Sequence, residues 1–184
     1  MNSLKSIIPL LSDVLRFSEN ALYERQRALV RGGLIKATAG RGPGSGVKAT
    51  ADNVAMLIIS VLATDSLSDV VVETGIIAKA TRQVPDVDAP PAFRTFKAAV
   101  AYCFSTDDDR IASVEVFRTS RTAVVRFRDG HIMPFGKLQH FSFVSITALL
   151  PQEAFRYVRG LIELTAPPSL ANRTPTLRKK MRPS

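Results

Sequence analysis

Tryptophan is missing from this chain of 184 residues, cysteine occurs once and histidine twice. The single cysteine, Cys103, has no internal disulfide partner, which fits a reducing, cytoplasmic compartment. Together with His131 and His140 it supplies too few soft or borderline donors for a structural zinc site. No metal or cofactor is expected. Long apolar runs are absent as well: the longest, Val54 to Ala63, is about half of the ~20 residues a membrane span requires, and Ser60 interrupts it. Asp13 and Arg16 stand where a signal peptide would need its apolar stretch. No membrane partner is expected. No serine or cysteine has a visible base beside it, and Asp107-Asp108-Asp109 reads as a solvated loop because adjacent side chains diverge. The expectation is a protein that is not an enzyme.

What is present is an apolar fraction of 46%, enough for a real core, and a formal net charge of +9. An excess of that size favours polyanionic partners, nucleic acid above all. The charge is segregated. Residues 1–50 carry eight Lys and Arg against three Asp and Glu, residues 51–110 five against nine, and residues 111–166 seven against four. Residues 167–184 carry five bases and no acid.

The periodicity predicts a first helix to about Arg16, capped by Ser3 or Ser6; a Ser6 cap would put Pro9 in the tolerant first turn. Ser18 caps a second helix, ENALYERQRALVR, ended by Gly32-Gly33 in left-handed conformation. Its Ala21, Leu22, Ala28 and Leu29 are expected to face inward, leaving Tyr23, Arg25, Gln26, Arg27 and Arg31 outside. After Leu34-Ile35 comes KATAGRGPGSGVKAT, with Arg41 between glycines. Thr50 begins a third helix in which Val54, Leu57, Ile58, Val61 and Leu62 share one face, and Leu67–Ala80 follows as a fourth. Residues 81–91 hold three prolines and read as a linker. Beyond it, Phe93, Phe96, Val100, Cys103 and Phe104 form a helical stripe. Ser113–Arg118 and Thr122–Arg128 form a hairpin, Asp129-Gly130 is a turn signal, Phe141–Leu149 is a strand, and Pro151 opens a last helix.

The loop after the second helix is not a nucleotide-hydrolysis cradle, since Lys48 lies between Val47 and Ala49 rather than in Gly-Lys-Ser/Thr. The order helix, turn, Arg-rich helix, glycine-rich basic loop, capped helix is instead what a winged helix-turn-helix requires. Its second helix enters the major groove with Arg and Gln forks, and its wing carries a cation to the phosphates or the minor groove. LSDVLRFSENALYERQRALVRGGLI and TADNVAMLIISVLA resemble the N-terminal domain of MerR-like regulators, over residues ~4–65 only. The resemblance implies a DNA-binding winged helix-turn-helix, of phage or prophage type, and implies nothing about an inducer.

The expected fold class is α+β. A winged helix-turn-helix (1–80) and a linker (81–91) precede a small helix, β-hairpin and helix module (92–166) for oligomerisation or partner binding. A disordered basic tail (167–184) follows. The expected partners are duplex DNA and a second copy of the chain, as a homodimer or higher oligomer. The expected contacts are Tyr23, Arg25, Gln26, Arg27, Arg31, Lys36, Arg41 and Lys48. The leading reading is a sequence-specific transcriptional regulator. The alternatives are a DNA-packaging subunit like the phage small terminase, and a protein-interaction module or inhibitor with an acidic partner.

Overall fold

The computed structural model describes residues 3–38, 46–83, 91–137 and 145–165. Helix α1 (Leu4–Leu15) is capped by Ser3, whose hydroxyl accepts from the Ser6 amide at 3.3 Å. Pro9 therefore lies inside the helix rather than in a first turn opened by Ser6. Its ring is on the exposed side, where water can serve the carbonyl it leaves without a donor. Leu4, Ile7, Ile8 and Leu11 fill the core. A three-residue turn follows, with Arg16 left-handed (φ 51°) and the Ser12 hydroxyl donating to the Phe17 carbonyl at 2.7 Å.

Helix α2 (Glu19–Arg31) starts at its Ser18 cap as expected. The two glycines at its end have different tasks. Only Gly33 is left-handed (φ 72°), while Gly32 keeps a right-handed φ of −77°. Gly32 is needed for space: a Cβ there would sit 2.4 Å from Cγ1 of Val71, so the glycine lets two helices touch. Helix α3 (Ala51–Ala63), capped by Thr50, is buried along nearly its whole length. Helix α4 (Val70–Lys79) begins later than the expected Leu67, after Asp69.

Helix α5 (Phe96–Ser105) follows a 3-10 turn at Pro91–Arg94 and is capped by Thr95. The sheet contains β1 (Ile111–Phe117), β2 (Thr122–Phe127), β3 (Ile132–Phe135) and β4 (Thr147–Pro151), all antiparallel in the order β3-β2-β1-β4. The Asp129-Gly130 turn leads directly into β3, which has only four residues and no alternation long enough to read from sequence. Pro151 ends β4 instead of opening the helix, and α6 (Gln152–Thr165) starts one residue later. Of the strand expected at 141–149, residues 141–144 lie outside the described residues.

One sheet face, with Val114, Val116, Ala123, Val125, Met133 and Phe135, is buried in the same core as Phe96, Val100 and Phe104 of α5 and Phe155, Val158 and Leu161 of α6. Each of those phenylalanines contributes about 1.5–3 kcal/mol by burial. The core continues without a break to Leu4 and Leu11 of α1, and α3 packs on α4, α5 and β1. The segment expected as a linker thus does not separate two cores. Thr81 and Arg82 pair with Thr95 and Phe135 across it, whereas residues 84–90 lie outside the described residues, as do 167–184. The fold is mixed α+β.

Candidate nucleic-acid interface

Helix α2 has two unlike faces. Leu22, Arg25, Gln26 and Leu29 are all buried, at the i, i+3, i+4, i+7 spacing of one helical stripe. The expectation that Arg25 and Gln26 face outward is thereby corrected. Arg25 is 2% exposed and rests on the Phe17 ring, 4.9 Å from its centroid. Its Nη1 donates to the Ser60 carbonyl at 2.5 Å and its Nη2 to the Asp65 carbonyl at 3.0 Å. Gln26 is 8% exposed, and its Oε1 has no hydrogen-bond partner.

The reason for burying a guanidinium is the end of α3. The last four carbonyls of a helix have no partner within it, and α3 has no basic residue in its own last turn. Arg25 takes Ser60. Arg118, from the β1–β2 turn, takes Val61 at 3.0 Å and Leu62 at 2.8 Å while its Nη1 meets Asp65 Oδ2 at 2.5 Å. Two cations at a helix C-terminus also complement its dipole. Burial pushes the Arg25 pKa down, opposed by Asp65 and reinforced by Arg118, but a guanidinium stays protonated. The hydrogen bond from Arg118 holds the Asp65 carboxyl below the usual range.

The outward face of α2 carries Asn20, Arg27 and Arg31, all exposed, with Tyr23 and Glu24 half-buried beside them. Lys5 of α1 lies over the Tyr23 ring at 5.1 Å, and Arg27 approaches the same ring at 5.9 Å. Glu24 pairs with Arg27 at 2.9 Å. Exposed as this pair is, it adds little stability and leaves Arg27 free to change partners. After Gly33 the chain passes buried Ile35 and exposed Lys36 to Thr38. Thr38 exchanges both backbone hydrogen bonds with Gly46, each 3.0 Å. That pairing joins the two ends of the segment, called the hairpin foot below; residues 39–45, Arg41 among them, lie outside the described residues. Lys48 is exposed, and its backbone bridges to Ser3, next to the start of α1.

The structure therefore gathers Tyr23, Arg27, Arg31, Lys36 and Lys48 around α2 and the hairpin foot, and removes Arg25 and Gln26 to the interior. Sequence reasoning missed Asn20 and Lys5. Asn20 was findable, since Asn20, Glu24, Arg27 and Arg31 complete the i, i+4, i+7, i+11 row opposite the buried stripe. The role of Lys5 depends on how α1 crosses α2, which no local pattern states. Elsewhere, Cys103 is buried with its thiol pushed up to about 12, so it is no nucleophile near neutral pH. No group of three His, Cys, Asp or Glu that could hold a metal occurs among the described residues. No described helix is long and apolar enough to cross a membrane. Comparison with known proteins finds no matching family model, no similar curated protein and no similar solved structure.

Proposed function

We propose that the chain is a sequence-specific duplex-DNA-binding transcriptional regulator, with α1 and α2 as a helix-turn-helix and the hairpin closed at Thr38 and Gly46 as its wing. One observation carries the reading. The solvent face of α2, with Asn20, Tyr23, Arg27 and Arg31, stands beside a hairpin foot flanked by Lys36 and Lys48, neither of which has an acidic partner among the described residues. Arg and Asn are the forks that match guanine and adenine edges in the major groove. Lysines on a wing supply sequence-independent attraction to phosphates. Arg25 serves the reading indirectly, because it anchors the inner face of α2 to the end of α3 and so fixes the direction of the outer face. The resemblance to MerR-like regulators over residues ~4–65 points the same way.

Reading of two half-sites calls for a two-fold dimer. In-vitro selection of duplex fragments by the full chain should return a palindromic motif, and the mass in solution should be that of a dimer. Retention of fragments without any common motif by a large closed ring would instead mark a DNA-packaging subunit. Failure to retain duplex DNA at low salt would exclude both.

A further inference from the structure

A cleft of about 380 Å³ opens beside the end of α4. Three separate parts of the chain meet there and each brings a cation: Lys79 from the last turn of α4, Arg121 from the β1–β2 turn, and Lys137 just after β3. Ser120 and Thr81 add hydroxyls to the same wall. No carboxylate among the described residues lines it. Glu73, outside the lining, neutralises Arg121 in part: its oxygens accept from Arg121 Nε at 3.1 Å and Nη2 at 2.7 Å. Lys79 and Lys137 have no ion-pair partner among the described residues.

The three cations are not brought together by chance proximity in sequence. The end of β3 is tied to the end of α4 by the Gly136 amide, which donates to the Thr81 carbonyl at 2.9 Å, and by the bridge between Arg82 and Phe135. Gly136 (φ 86°) and Arg121 (φ 54°) both hold left-handed backbone there, a conformation that is uncommon for a residue with a side chain. Like charges held around one concavity repel each other, more strongly where protein walls limit water. A bound dianion would reverse the sign of that contribution.

We propose that this cleft is a phosphate-binding site, with Lys79 and Lys137 as the charge donors and Arg121 as a fork shared with Glu73. The phosphate belongs either to a small free anion or to the backbone of a duplex that extends past the wing. Leu34, between α2 and Lys36, lies 3.8 Å from where a Cβ at Gly75 of α4 would stand, so the segment that leads from α2 to the hairpin foot touches α4. The duplex source rests on the proposed function, whereas the small-anion source does not.

The test is a titration of the full chain with inorganic phosphate at constant ionic strength against chloride, followed by backbone amide shifts. The expected result is saturable movement of the amides of Lys79–Thr81 and Ser120–Arg121, with a thermal midpoint that rises with phosphate. Both responses should vanish in the double variant Lys79→Gln, Lys137→Gln. Absence of any phosphate-specific shift in the wild type would overturn the site, with no appeal to a variant. So would a double variant that loses thermal stability in chloride yet keeps the phosphate response, because Lys79 would then merely serve the end of α4. Duplex binding locates the source: a salt slope lower by about two in the double variant assigns the cleft to the DNA backbone. An unchanged slope, or a wild type that takes phosphate but no duplex, assigns it to a small anion; the last result would sink the proposed function while leaving the site standing.

Discussion

In the sheet-bearing part of the molecule arginines are tied to acids: Arg110 to Asp108, Arg121 to Glu73, Arg126 to Glu115 and Arg159 to Asp107, at 2.7–2.9 Å. Around α1, α2 and the hairpin foot, Lys5, Arg16, Arg31, Lys36 and Lys48 have no acidic partner among the described residues. Both regions are basic in sequence. In the first, much of the charge is spent on holding strands and turns together; in the second, it remains available to a polyanion. Net charge alone does not distinguish these cases, whereas the pairing does.

Arg25 is the exception within the helical region, and replacing it should have the largest effect. Arg25→Ala leaves the Ser60 and Asp65 carbonyls without their donor and a void over Phe17. Chemical denaturation should show a loss of about 2–4 kcal/mol. Arg25→Lys should recover only part of it, since an ammonium cannot span both carbonyls as a guanidinium fork does. Unchanged stability in Arg25→Ala would move this residue back among the available cations.

Next in size is Gly32→Ala. A methyl group 2.4 Å from Val71 Cγ1 must push α4 from α2, at a cost of about 1–3 kcal/mol, read as a lower thermal midpoint. Arg27→Ala with Arg31→Ala should behave in the opposite way. Both side chains are exposed, so stability should hold within about 0.5 kcal/mol. Affinity for a selected duplex should fall by at least about tenfold, given about 1–3 kcal/mol per base contact. A fall in stability without a fall in affinity would break the contrast between the two regions.

The smallest expected effect is the part of the pH dependence that comes from the sheet. The hydrogen bond from Arg126, at 2.7 Å, holds the Glu115 carboxyl below its ordinary value of 4.5, and burial acts against it. A depressed carboxylate adds stability that is fully present above the unfolded-state value and lost as pH falls through the folded-state value. Stability should therefore drop as pH is lowered from about 4.5, and denaturant midpoints of Glu115→Gln should drop less steeply over that window. Equal slopes in the two proteins would show that this pair does not stabilise the sheet.

The elements with a strong repeating signal were legible from sequence. The Ser18 and Thr50 caps, the α3 stripe and the β1–β2 hairpin lie where spacing and turn residues put them, and so does the stripe expected from Phe93 to Phe104, except that Phe93 falls in the 3-10 turn before α5. The site was legible in part. Residue type suggested that Arg25 and Gln26 face water, but their spacing from Leu22 and Leu29 put them on the buried stripe, and spacing prevailed. That stripe could hold an arginine because the end of α3 offers carbonyls to it, a tertiary fact involving residues 35 positions away. The four residues of β3 and the meeting of Lys79, Arg121 and Lys137 depend on strand order, which local pattern does not encode.

The central claim is that the exposed cations around α2 and the hairpin foot bind duplex DNA. Its most direct test is the salt dependence of affinity for one selected duplex, measured for the wild type and for the variant with Arg27, Arg31, Lys36 and Lys48 all changed to Ala. The account predicts that the slope of log affinity against log salt falls by up to about three to four, with an unchanged thermal midpoint. The same affinity and the same slope in both proteins would contradict it.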